Sequence, residues 1–256
     1  MLECESIFNE YPEHLRVFKK NILREYIQYQ ILNSIYQSNY GKRIIFLGGT
    51  ALRIIHDSTR FSEDLDFDNL DLTELDFTKL TDILAQDLEN EGYQIEIKKV
   101  FRGAYHCYIK FPELLFQKGL SPFKAEKILI QLDAEPQSYQ YIPDNIILNR
   151  FGIFRQIKSV PIGTLLSQKI AAALNRKQSK GRDFFDVVFL FSKTKPDFQY
   201  LQQKLDIGDL RTLKAAFFAK IGQVDLRRLA KDVEPFLMNN QERSRVILFK
   251  EFIERL

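Results

Sequence analysis

The chain has 256 residues, 45% hydrophobic and 28% charged, which is the composition of a folded globular protein with length for one large or two modest domains. No stretch approaches the ~20 apolar residues of a membrane span. The acidic start MLECESIFNEYPEH is unlike a signal peptide, and Cys4 and Cys107 form neither a metal spacing nor a disulfide framework, so the sequence predicts a cytoplasmic protein with no membrane contact. Net charge is +3, but residues 1–100 carry 11 basic and 18 acidic side chains, whereas residues 101–256 carry 26 and 16. Either an acidic part that holds cations precedes a basic part that holds a polyanion, or the unevenness is solvated surface.

Leu15, Phe18, Ile22, Tyr26, Tyr29 and Leu32 recur at threes and fours and predict a helix over 13–38, stopped by Asn39-Tyr40-Gly41. Ile44–Leu47 predicts a buried strand, Gly48-Gly49 a turn, Thr50–His56 a short helix and Leu65–Asp68 a second strand. A helix over 76–91 ends at Gly92. Three β-like runs follow at 93–100, 104–110 and 127–133, with a loop at 112–124 and a connector at 134–152. Residues 154–160 read as one more strand. From Pro161 the pattern turns helical: 163–177, 182–192, then segments near 197–205, 208–221, 224–237 and 240–256. The expected fold is α+β: a mixed β-sheet flanked by helices over residues 1–155, then a helical bundle over 156–256.

Asp64 and Asp66 are two apart, so on a strand both carboxylates share a face while Leu65 and Phe67 point to a core. Such neighbours repel, and a divalent cation with oxygen preference relieves that repulsion. Asp133, at the end of the apolar run Ile128–Leu132, is the candidate third carboxylate. In isolation D-x-D reads as an exposed turn, an edge strand or an acidic surface hairpin, and the preceding glycines change that reading. Gly48 and Gly49, followed by Thr50, open a helix where backbone N–H groups and a hydroxyl meet phosphate, or else form only a turn. Lys169 sits near the apolar side of its helix, as a snorkelling side chain or as a point charge for a triphosphate. Arg176 lies two turns on. Arg182, Asp183 and Asp186 crowd the next helix start, where Asp183 also suits the helix dipole and Asp186 an ion pair with Arg182 or Lys169.

The order strand, Gly49-Thr50, thirteen residues, Asp64-Leu65-Asp66-Phe67, then Leu132-Asp133-Ala134 resembles the signature of the DNA polymerase beta-type nucleotidyltransferases. More narrowly, FLGGTALRIIHDSTRFSEDLDFD, followed by a Lys helix and Arg182-Asp183-Phe184-Phe185-Asp186, is similar to the AbiEii/AbiGii toxin family, related to the MenT toxins. The resemblance spans roughly residues 44–190. It implies two Mg²⁺ ions on Asp64, Asp66 and Asp133, and an NTP held by Gly48, Gly49, Thr50, Ser62, Lys169, Arg182 and Asp186. It also implies Lys169 and Asp183 among the catalytic residues, with Asp183 or Asp186 orienting the site. Transfer to an RNA end such as tRNA would block translation and growth, in a toxin–antitoxin or phage-defence system with an antitoxin encoded nearby. The basic residues Arg150, Arg155, Lys158, Arg176, Lys177, Lys180 and Arg182, interleaved with Phe151 and Phe154, would line the RNA path or form a solvated face. Arg53 reads as an internal salt-bridge partner, and Ser62 alternatively as a turn cap. NTP binding or partner binding without turnover, and transfer to a small molecule or a protein side chain, are the alternative functions.

Overall fold

A computed structural model describes residues 2–256. In chain order the elements are α1 (Cys4–Asn9), α2 (Lys19–Gln37), β1 (Ile44–Leu47), α3 (Gly48–His56), β2 (Leu65–Asn69), α4 (Glu74–Asn90), β3 (Glu96–Arg102), β4 (Ala104–Phe111), α5 (Leu114–Gln117), β5 (Ile128–Pro136), β6 (Asp144–Arg150), β7 (Ile153–Ser159), α6 (Ile162–Asn175), α7 (Gly181–Phe191), α8 (Phe198–Leu205), α9 (Leu210–Ile221), α10 (Leu226–Val233), α11 (Ser244–Ile247) and α12 (Phe249–Arg255). Two compact units result: a sheet unit of residues up to Asp57 with Phe61–Ser159, and a helical unit of Val160–Leu256 with Ser58–Arg60. No helix among the described residues is long and apolar enough to cross a membrane.

The sheet unit is built on seven strands in the order β3-β4-β5-β2-β1-β7-β6. β2 runs antiparallel to β1 and parallel to β5. On β5, Ile128, Ile130, Leu132 and Ala134 are buried, so the period of two sends Gln131 and Asp133 to the other face. Helix α4 covers the buried face: Phe77 meets Phe101 at 6.1 Å and Tyr105 at 5.5 Å between ring centres. A Thr73–Asp76 capping box fixes its start. Both cysteines are free, and burial pushes the Cys107 thiol up to about 12.

The structure corrects three local readings. Residues 13–15 form a single 3-10 turn, and the long helix starts only at Lys19. The loop at 112–124 contains the one-turn α5. The connector at 134–152 contains β6, an edge strand. Its apolar run Ile146-Ile147-Leu148 has no clean alternation, because an edge strand buries little. Its two-residue turn to β7, Phe151-Gly152, has φ of 56° and 73°, as in a type I′ hairpin. An aromatic residue hides that signal. Phe151 keeps its unusual φ because its ring is buried edge-on against Tyr26 and Tyr29, each 5.2 Å away.

In the helical unit Phe249 packs against Phe184 at 4.9 Å and Phe217 at 5.2 Å. Gly181 opens α7 in near contact with α10, since a Cβ there would lie 1.8 Å from the Leu229 carbonyl oxygen. Ser58–Arg60 joins this unit through an antiparallel bridge of Arg60 to Leu237 and a Met238 N–H donated to the Thr59 carbonyl at 3.1 Å.

Candidate active site

β1 delivers the chain to Gly48, whose φ is +82°. A Cβ at this position would fall 2.0 Å from Oδ2 of Asp66. Glycine is therefore required twice, by its backbone conformation and by the carboxylate beside it. The close approach sets Asp66 against the start of α3, whose positive dipole end favours an anion; Leu47, the residue before this helix, offers no side-chain cap. The buried Thr50 hydroxyl donates to the Asp64 carbonyl, which ties the helix start to the strand entry. The buried Gln28 amide of α2 donates to the Ser62 carbonyl at 3.1 Å and the Glu63 carbonyl at 3.0 Å, fixing the segment ahead of β2. Gly48→Ala is expected to displace Asp66, reducing turnover at least about tenfold and stability by about 1–3 kcal/mol. Steady-state kinetics and a urea titration check both.

Asp64 immediately precedes β2 and Asp66 lies within it. Across the parallel ladder Asp66 stands opposite Asp133, and Asp133 stands opposite His106 on β4. Strands are about 4.8 Å apart, so Asp66 and Asp133 are immediate neighbours. His106 Nδ1 lies 2.7 Å from Oδ1 of Asp133. The Gln131 amide donates to both Asp133 oxygens, at 2.8 and 2.9 Å. Asp68, two residues beyond Asp66, is 5% exposed and accepts a hydrogen bond from the Tyr141 hydroxyl. Among the described residues no three His, Cys, Asp or Glu side chains are gathered as a ready ligand shell. The donors nevertheless suit a hard divalent cation: carboxylate oxygens from two adjacent strands, with Asp66 held in a cradle that a Cβ at Gly48 would fill.

The remaining candidates belong to the helical unit. Asp186 has no exposed surface and is gripped by Arg60 through Nε at 2.7 Å and Nη2 at 2.6 Å, with Lys169 Nζ at 2.9 Å. Lys169 is thus engaged in a buried ion triad with a partner, Arg60, more than a hundred positions away in sequence. Burial opposes ionisation of Asp186, but Arg60 and Lys169 outweigh it and hold its carboxyl below the usual aspartate range. A depressed folded pKa contributes stability that is complete above the unfolded value of about 3.9 and is lost as pH falls through the folded value. Acid titration of unfolding is expected to show this loss below about pH 4, with a shallower slope in Asp186→Asn. Asp183 is buried, and its Oδ2 accepts no hydrogen bond among the described residues; Arg176 Nε is 3.4 Å from it. Arg182 lies over the Phe236 ring at 4.7 Å.

Arg53 pairs at 2.8 Å with the buried Glu25, which also accepts from Tyr11 at 2.7 Å and Arg150 at 3.2 Å. Of the basic path expected through the sheet unit, Phe154 is 72% exposed, whereas Arg150 and Phe151 are drawn toward the core. Arg150 neutralises Glu25 and Phe151 is 6% exposed.

The sequence model of the AbiEii nucleotidyl transferase toxin, type IV toxin–antitoxin system, matches residues 30–254. The chain belongs to the AbiEii family. Its fold is shared by solved structures of low identity. JHP933 from Helicobacter pylori aligns with a TM-score of 0.56 at 17% identity, covering 92% of this chain and 91% of that one. A candidate nucleotidyltransferase from H. pylori aligns with a TM-score of 0.55 at 16% identity, covering 92% and 95%. No curated protein matches the sequence. The AbiEii assignment makes the chain a nucleotidyltransferase of a toxin–antitoxin system. Sequence reasoning passed over three residues beside the carboxylates of this AbiEii chain. Asp68 was legible as the third step of the D-x-D-x-D alternation. His106 and Gln131 depend on strand register, which one sequence does not display.

Proposed function

We propose that this AbiEii-family enzyme transfers a nucleotidyl group from an NTP to an RNA acceptor, the 3′ end of a tRNA, and so arrests translation and growth. The single observation that supports this most is the register of Asp66 against Asp133 beside the Gly48 turn. Asp64, Asp66 and Asp133 would hold Mg²⁺, which when bound supplies charge neutralisation on the phosphoryl oxygens and a more acidic acceptor hydroxyl. His106 and Gln131 fix the Asp133 carboxylate by hydrogen bonds to its oxygens. Gly48, Gly49 and Thr50 form the positive end of α3, suited to phosphate, with Ser62 nearby in the entry to β2. In the transfer the acceptor hydroxyl oxygen bonds to the α-phosphorus. The bond from that phosphorus to the bridging oxygen breaks, pyrophosphate leaves with the electron pair, and the hydroxyl proton is lost to solvent.

The enzyme would act in the cytoplasm, and an antitoxin encoded nearby would restrain it. In a phage-defence setting its activation would end the infected cell. Incubating the protein with each labelled NTP and total cellular RNA tests the reading. The expected result is label in one RNA size class with stoichiometric pyrophosphate. Label only in protein or in small molecules would refute it, as would nucleotide binding without pyrophosphate.

A further inference from the structure

One face of β3, β4 and β5 keeps solvent exposure along its length: Lys98 and Arg102 are exposed, and His106, Tyr108, Lys110 and Gln131 are half-buried. The buried face holds Cys107, Ile109, Ile130 and Leu132, while Lys99 reaches Asp82 and the Thr78 carbonyl of α4. The alternate residues lie on the opposite face. Register aligns them in rows that start at the carboxylates. The first row runs Asp66, Asp133, His106, Val100, and the next runs Gln131, Tyr108, Lys98. Lys110 and Arg102 lie one row beyond on either side, by the pairings Lys110 with Leu129 and Arg102 with Ala104.

Two features set this face apart from ordinary solvated sheet. His106 and Tyr108 form a short aromatic step, with ring centres 6.5 Å apart and planes inclined by 31°. Lys98, Arg102 and Lys110 make no ion pair among the described residues, unlike Lys99 on the covered face and Lys127, which lies 3.8 Å from Glu96. Besides Asp66 and Asp133 in the first row, the acidic groups on the face are Glu96, which stands opposite Lys110 and lies 3.8 Å from Lys127, and Glu135, which stands opposite Asp68 across the β2–β5 ladder. Cations without an ion pair flanking half-buried rings match a single-stranded polynucleotide, whose phosphates meet the cations and whose unpaired bases stack on the accessible ring faces. A duplex offers phosphates but keeps its bases stacked on each other.

We propose that this face is the docking platform for the single-stranded end of the RNA acceptor. Tyr108 stacks a base, and Lys98, Arg102 and Lys110 hold phosphates, which leads the terminal hydroxyl along the first row toward Asp133 and Asp66. This rests on the proposed RNA acceptor. Counting three strands across and one row along, Lys98 lies about 16 Å from the Asp66 position, a reach of a few nucleotides.

The test is fluorescence anisotropy of a short fluorescein-labelled single-stranded RNA over a range of salt. Three proteins are compared: wild type, the combined Lys98→Gln, Arg102→Gln and Lys110→Gln variant, and a control with Lys195→Gln, Lys204→Gln and Lys231→Gln in exposed positions of the helical unit. The platform variant is expected to bind at least about tenfold more weakly and to lose about 2 units of the log–log salt slope. The control is expected to match wild type. Tyr108→Ala is expected to weaken binding about tenfold, with Tyr108→Phe restoring it. Unchanged RNA affinity in the platform variant, or an equal loss in the control, would overturn the proposal. So would a Tyr108→Ala variant that binds like wild type. Label transfer to RNA separates the two readings. If wild type transfers label and the platform variant does so with the same KM for RNA, the platform is wrong and the RNA acceptor stands. If no label reaches RNA, both fall.

Discussion

Asp186→Ala is expected to destabilise the helical unit by about 3–5 kcal/mol, the cost of leaving two buried cations without their shared anion. Arg60 and Lys169 converge on a carboxylate with no exposed surface. Removing that anion places like charges together where water cannot screen them. The urea midpoint followed by circular dichroism measures the loss. A second variant separates charge from packing. Arg60→Met, Lys169→Met and Asp186→Leu together remove every charge and are expected to recover most of the stability, because a buried ion triad barely offsets its own desolvation. If Asp186 and Lys169 instead served the nucleotide alone, Asp186→Asn would raise the KM for NTP and leave the urea midpoint unchanged.

Asp66→Asn is expected to reduce nucleotidyl transfer about a thousandfold or more while leaving the fold intact. The amide keeps the shape beside Gly48 but removes the charge that complements a divalent cation. The stabilisation a cation lends a phosphoryl transition state is worth several kcal/mol, and each 1.36 kcal/mol is a factor of ten. Asp133→Asn is expected to cost a comparable factor. His106→Ala is expected to cost less, since Gln131 still holds Asp133 by both oxygens. Initial rates of pyrophosphate release at saturating NTP check all three.

The elements around the site were legible because local chemistry specified them. Ile44–Leu47 is a short apolar run ended by glycines, and the structure has the strand at those residues. Asp64 and Asp66 flank Leu65, which is fully buried, as alternation requires. What could not be read was set by distant partners. Arg60 is 2% exposed against a carboxylate 126 positions later, a partner no local pattern supplies. The ion pair of Lys169 with Asp186 is one of the readings the helix spacing offers, but nothing local announces Arg60 as the second cation on that carboxylate. Arg150 and Phe151 read as part of an RNA path or a solvated face, yet Glu25 engages the half-buried Arg150 and an aromatic cluster buries Phe151. His106 is brought to Asp133 by the register of β4 against β5, which one sequence does not display.

The central claim is that Asp66 and Asp133, brought side by side by the β2–β5 ladder, hold the cation for transfer. Its most direct test is Mn²⁺ binding in the presence of a non-hydrolysable NTP analogue, followed by electron paramagnetic resonance of the free ion. Wild type is expected to bind Mn²⁺ at least about tenfold more tightly than either Asp66→Asn or Asp133→Asn, with the double variant no weaker than about the worse single one, because both remove the same site. Equal Mn²⁺ affinity in wild type and both single variants would contradict the account.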